Sequence, residues 1–420
     1  MKDELLRGLQ NLELFLRHLP APVGDELRRR IVELRELLVE KRAPRLILVG
    51  RRGAGKSTLL NAIFDEPLAN IGHTGRGTLE PAWYSYASDR GSMDVLDTRG
   101  LGEAAQAGEG NAREATVAAI VNACRAQPPD AVLFLVKAKE IESRSDEDVK
   151  DLATVCKAIR KAHGAALAII GVANQCDELS PPTVRLDRAD TSERYHQKIE
   201  SVRVVEQKLA ERIRMHAELA PQLTTTLGVV SYAEWGADGQ LVEDLRFRVD
   251  DLVRYVFQEL PAQAQLELAR LSRVKKLQRE LATRIMHATA GVCAAVAAVP
   301  IPVADIGPIT AAQVGMITAI GYIGGRELTP KAAGEFLLAL GVNVGVGFVF
   351  REIARGLIRF AFPGGGSVIS AGIAYAATVG LGAAAIAYFV EGKSVDEAKR
   401  EYGKTRELTE RNYPPPPPPS

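Results

Sequence analysis

The sequence predicts a doubly wound α/β domain, flanked by N-terminal helices and by a C-terminal all-α, partly membrane-like domain. Three observations predict it. Short apolar runs at residues 46–49, 131–136 and 166–172 read as buried strands that alternate with helical patterns. A glycine-rich turn joins the first of these strands to a helix. Beyond Ala288 the chain becomes rich in Ala, Gly, Val and Ile. The expected divisions are 1–43, 44–260, 261–405 and a disordered tail over 406–420.

Composition narrows the classes. The 420 residues hold 52 acids against 53 Lys and Arg, so no overall field points to nucleic acid or to an acidic partner. The scattered Cys124, Cys156, Cys176 and Cys293 show no metal-ligand spacing, and the six histidines are dispersed. Reduced thiols fit a cytosolic setting. The N-terminus carries acids early and does not read as a secretory signal. Its leucines from Leu5 to Leu19 have amphipathic helical spacing up to Pro20 and Pro22, and a second such pattern follows from Asp25 to Glu40.

The apolar run ending at Val49 enters Gly50, Arg51, Arg52, Gly53, Ala54, Gly55, Lys56 and Ser57, and a helix opens through Thr58, Leu59 and Leu60. This is G-x-x-x-x-G-K-S/T in its strand–loop–helix setting. Main-chain N–H groups there curl around phosphate oxygens, and the helix N-terminus adds its positive end. Lys56 is expected on the β- and γ-phosphates and the Ser57 hydroxyl on Mg²⁺.

A loop is expected over residues 68–78, then two strands near 81–87 and 92–96. The second ends in Asp97-Thr98-Arg99-Gly100, a D-x-x-G whose Asp holds Mg²⁺ through water and whose Gly amide meets the γ-phosphate. The run over 166–172 leads into Asn174-Gln175-Cys176-Asp177, close to N-K-x-D with Gln175 where Lys is usual. An Asp177 carboxylate there accepts from guanine N1–H and the exocyclic amine, which adenine cannot supply. The usual Lys packs over the base and braces the loop, and a Gln does part of that. Residues 192–219 have the spacing of one long surface helix. Ser231, Tyr232 and Ala233 close the set at the position of an S-A-K/L loop.

Together these motifs resemble those of translation-factor-class GTPases, in particular the Era-like group that includes immunity-related GTPases. The resemblance covers roughly residues 44–260. It implies GTP/GDP and Mg²⁺ as ligands and a switch-I threonine, Thr78 by separation from Ser57 or Thr74 as the fallback. Leu101 stands where many small GTPases carry the glutamine that positions water, so slow hydrolysis is expected. Arg99 and Glu103 are nearby substitutes. The implied catalytic set is Lys56, Arg52, Thr78 and Gly100, with Ser57, Thr78 and Asp97 on the metal. Arg51 and Arg52 have two readings, an arginine finger in cis or across a dimer, and a solvent-facing default.

In the C-terminal part three apolar segments are expected, 288–323 broken by Pro300-Ile301-Pro302, 332–350 and 367–390. The last is uncharged over about a bilayer's length. Gly341 and Gly345 permit close helix contact, and Arg351, Arg355 and Arg359 form a basic stripe. A soluble bundle and a membrane-associated domain with the stripe at anionic headgroups are the two readings. The stretch resembles an uncharacterised helical domain found after G domains in some bacterial GTPases, which implies no activity. Pro414–Pro419 is a polyproline run.

The expectation is a GTP-controlled switch, cytoplasmic and at the cytoplasmic face of a membrane. The alternatives are a dynamin- or immunity-related-like protein assembling as a homodimer or GTP-dependent oligomer, and an Era-like ribosomal role. The last is disfavoured for want of an RNA-binding module or basic excess, so no nucleic acid partner is expected.

Overall fold

Runs of Val, Ile and Leu with no polar member can be satisfied only where both faces of a strand are covered. In the computed structural model such runs form the centre of a six-stranded sheet. The described residues are 32, 35–36, 40–67, 82–98, 110–297, 307–326, 336 and 371–412. Thr78, Thr74, Arg99, Gly100, Leu101 and Glu103 lie outside them, as do the first helical pattern, the Pro300 break, segment 332–350 apart from Phe336, the arginine stripe and the polyproline run.

The chain divides into two compact units. One spans Ala43–Pro261 with Leu271–Arg273, and the other holds residues 262–270, those from 274 on and the described residues before Ala43.

In the first unit the strands are β1 (Arg45–Val49), β2 (Ala82–Ser88), β3 (Gly91–Asp97), β4 (Ala131–Lys137), β5 (Ala168–Asn174) and β6 (Leu223–Gly228). Their order is β2-β3-β1-β4-β5-β6, all parallel except β2, which pairs antiparallel with β3 through the turn at Asp89-Arg90. The helices are α1 (Lys56–Phe64), α2 (Gly110–Ala126), α3 (Ile141–His163), α4 (Glu193–Arg214) and α5 (Val249–Glu259). The mixed sheet with its helices is the fold of a P-loop G domain, as the motif order predicts. Ile47, Val132, Phe134 and Ile169 are fully buried in the sheet and pack with Ile159 and Leu209 from the helices. Each such side chain contributes about 1.5–3 kcal/mol through burial.

One boundary of this unit differs from expectation. The long helix over 192–219 ends at Arg214, after starting at Ser192, whose hydroxyl caps the Tyr195 N–H. The last strand closes at Gly228, so Val229–Tyr232 lie beyond the sheet. A hairpin of β7 (Ala233–Trp235) and β8 (Leu241–Asp244) then follows, turning at Asp238-Gly239.

The second unit is helical: α6 (Ala262–Leu271), α7 (Lys275–Ala297), α8 (Gly307–Ile323), α9 (Ala371–Ala385, extended by a π-helical turn Ile386–Val390) and α10 (Val395–Asn412). Helices α6 and α7 are separate because Arg273 between them takes a left-handed backbone at φ 55°. Residues 371–390 are long and apolar enough to cross a membrane, and they are buried over most of their length within this unit. Small residues allow that packing. A Cβ on Gly382 would come within 2.3 Å of Met286 Cγ. Two buried polar side chains of this unit are paired, Gln313 Nε2 donating to Thr378 Oγ1 at 2.9 Å. Lys41 donates to Glu267 Oε1 at 2.9 Å, and the Arg42 N–H to the Gln263 carbonyl at 2.9 Å, so these residues join the helical unit.

Candidate nucleotide site

Parallel strands present their loops at one edge, and there a ligand crevice forms. Here β1, β4 and β5 deliver the glycine loop, Lys137 and the Asn174–Asp177 loop to the same edge. The glycine loop is close-fitted. Gly55 precedes α1 with φ +88°, and a Cβ there would lie 2.2 Å from Asn174 Nδ2. A Cβ on Gly50 would lie 2.5 Å from the Leu135 carbonyl oxygen. These are positions where only glycine lets the backbone pass, which leaves its N–H groups free of side chains.

Lys56 is buried, and its Nζ donates to the carbonyls of Gly50 at 2.5 Å and Arg51 at 3.2 Å. Its ammonium therefore lies inside the curl of the loop, where a phosphate chain would replace those carbonyls as partner. Ser57 and Thr58 sit half-buried in the first turn of α1. Ala54 is buried, whereas Arg52 and Gly53 are exposed.

Arg51 and Arg52 part company. The Arg51 guanidinium leaves the loop for α3, donating to Asp148 Oδ1 at 2.5 Å and Glu147 Oε2 at 2.8 Å. Burial works against its charge, but hydrogen bonds and the charges of Asp148 and Glu147 outweigh that and hold its pKa above the ordinary value.

Asn174 joins three loops. Its Nδ2 donates to the Ala54 carbonyl at 3.0 Å, and its Oδ1 accepts from Ser231 Oγ at 3.0 Å, all buried. Gln175 Nε2 donates to the Gly53 carbonyl at 3.1 Å, so this glutamine braces the glycine loop. Asp177 is half-buried in the same loop, and Tyr232 is largely exposed with its hydroxyl on Glu234 Oε2 at 3.2 Å. Asp97 ends β3 beside Leu48, and the next residue, Thr98, anchors that end by donating to the Leu48 carbonyl at 3.0 Å.

Two participants escaped the sequence reading. Lys198 on α4 is fully buried, and its ammonium donates to the carbonyls of Asp177 at 2.6 Å, Pro181 at 3.1 Å and Leu179. The signal was its phase: Lys198, Val202, Leu209 and Ile213 share the buried face of α4. Asp148, the holder of Arg51, carries no such signal.

The residues fit a nucleoside triphosphate with Mg²⁺. The glycine cradle takes phosphates, and Mg²⁺ commonly rests on a protein hydroxyl or carboxylate plus phosphate oxygens. No group of three or more His, Cys, Asp or Glu among the described residues could hold a metal alone.

Sheet order and loop geometry define the class: a P-loop G domain. Residues 45–174 match the family described as 50S ribosome-binding GTPase, and residues 260–410 match the family described as Domain of unknown function (DUF697). The first match implies a guanine nucleotide as ligand and GTP hydrolysis in general. A comparison with curated proteins gave no match. Among solved structures, similarity extends to a dimerization-deficient mutant of Toc33 from Arabidopsis thaliana, at 14% identity over 60% of this chain and 94% of that one, TM-score 0.32. It extends also to LeoA, a bacterial dynamin GTPase from ETEC, at 12% identity over 98% and 94%, TM-score 0.38. Era in complex with MgGDPNP and 16S ribosomal RNA gives 16% identity over 60% and 67%, TM-score 0.29. At identities and scores this low nothing about function follows from these likenesses.

Proposed function

We propose that the protein is a guanine-nucleotide switch that binds GTP with Mg²⁺ and hydrolyses it slowly, its helical unit reading the nucleotide state. The carrying observation is the tie from Asn174 to both Ala54 and Ser231, which joins the phosphate loop, the base loop and the loop after β6 into one site. In this reading Lys56 neutralises the β- and γ-phosphates, Ser57 and Asp97 hold Mg²⁺ with Thr78, and the Gly100 amide meets the γ-phosphate. Asp177 selects guanine. Leu101 has no group to orient water, which sets the low rate.

Arg52 favours a second reading. It is an exposed guanidinium in the phosphate loop, suited to reach a nucleotide across a homodimer or a larger GTP-dependent assembly. Membrane association through the helical unit is compatible with either reading, residues 371–390 having the length and apolarity to span a bilayer. Calorimetry with GTP tests the core claim: Lys56→Ala should abolish binding, and retained affinity would refute the phosphate-loop assignment. A hydrolysis rate per molecule that stays flat with protein concentration removes the assembly reading. Protein left in the supernatant beside anionic liposomes, with and without GTP, removes the membrane reading.

A further inference from the structure

The base loop lacks the lysine usual at its second position, and Gln175 supplies a brace without a charge. A lysine stands beside it on the neighbouring strand. Lys137 ends β4 and pairs in register with Asn174 on β5. Its side chain runs toward the phosphate loop, where a Cβ built on Gly53 would lie 3.5 Å from both its Cε and Nζ. Gly53 is the residue whose carbonyl receives Gln175 Nε2. A neutral amide and an ammonium thus converge on one loop residue from adjacent strand ends.

The competing claim on Lys137 is Glu140, at 3.7 Å, with both side chains about one-third exposed. A long, exposed pair of this kind holds an ammonium weakly. Direct charge-assisted contact with a nucleotide is the stronger interaction available to it.

We propose that Lys137 supplies the cation of the guanine-nucleotide site, occupying from β4 the role that Gln175 leaves unfilled on the base loop. This rests on the guanine-nucleotide reading above. The division of labour is brace from Gln175 and charge from Lys137. The nucleotide features it serves are shared by GTP and GDP, the base with its sugar and inner phosphates.

The test is calorimetric titration of GTP and of GDP into the whole protein and its variants, with thermal melts as a check on folding. Lys137→Ala should weaken both nucleotides about tenfold, while Lys137→Arg, which keeps the charge, stays within about threefold of the wild type. Lys137→Gln, which preserves chain length, should behave as Lys137→Ala. In a Gln175→Lys background the cost of Lys137→Ala should shrink, since the loop then carries its own ammonium. Glu140→Gln should leave affinity unchanged. The inference falls if the wild type binds GTP while Lys137→Ala and Lys137→Gln bind equally well. It falls too if their loss is the same in both backgrounds, or if Glu140→Gln matches it. A wild type that binds no guanine nucleotide overturns the functional reading itself, a different result from any of these.

Discussion

The Lys198 ammonium, buried on α4, donates to the main-chain carbonyl of Asp177 at 2.6 Å. The side chain proposed to select the base is thus mounted on a strut from a helix about twenty residues further on. The same ammonium holds the Leu179 and Pro181 carbonyls, so it sets the path of the whole loop.

Lys198→Met should cost roughly 3 kcal/mol of stability, because three main-chain carbonyls, one of them buried, lose a charged donor. Guanine-nucleotide affinity should fall with it, and selectivity for GTP over ATP should narrow as Asp177 loses its fixed position. Urea denaturation reads the first effect and competition binding the second. Unchanged selectivity would mean that the loop holds its shape without the strut.

Lys198 also carries a pH signature. Burial pushes its pKa below the ordinary 10.5, with the Asp177 charge pulling the other way. Between the depressed folded value and 10.5 the unfolded chain binds more protons than the folded one. Stability from this group therefore rises with pH across that window and is flat below it. The stability difference between wild type and Lys198→Met, followed by urea denaturation from neutral pH to just above 10.5, should widen in favour of the wild type. A difference independent of pH would contradict the assignment.

Arg51 and Asp148 form one unit, so their losses should not add. Arg51→Ala and Asp148→Ala should each cost about 1–2 kcal/mol, and the double variant little more than either. Thermal melts of the four proteins complete the cycle. Strict additivity would show that the 2.5 Å contact contributes nothing in solution.

Gly55→Ala should abolish nucleotide binding, on the order of a hundredfold or more in dissociation constant. The backbone at φ +88° disfavours any side chain, and the new methyl would lie 2.2 Å from Asn174 Nδ2. Calorimetry beside a circular dichroism spectrum separates a distorted loop from an unfolded chain. Tight GTP binding by this variant would be incompatible with the loop geometry.

Much of the first unit could be read in advance because its signals are local. The central strands are continuous apolar runs, and the glycine loop, Asp97 and the Asn174–Asp177 loop sit at strand ends by motif spacing alone. The hairpin after Tyr232 was also signalled, by Asp238-Gly239 in the short polar and glycine-rich stretch between Trp235 and Leu241, yet that turn is easily passed over beside a stronger motif. What could not be read were partnerships across sequence. Arg51 lies 97 residues from Asp148 and Lys198 lies 21 from Asp177, and no periodicity pairs a loop arginine with a helix acid. In the second unit, uncharged residues 371–390 satisfy the same compositional rule for a bilayer core and for a helix enclosed by its neighbours. Composition cannot choose between apolar solvents, whereas Gly382 against Met286 shows which protein surface the helix meets.

Asn174 engages Ala54 and Ser231 with opposite ends of one amide. The three loops around the ligand are therefore riveted to one another by protein groups alone, so little chain ordering is left for the moment of association. A site assembled beforehand spends its contacts on affinity instead of on organising itself. In such a site, trimming the Asn174 amide would slow capture of the nucleotide as well as hasten its escape, because the free protein would have to find the closed arrangement first.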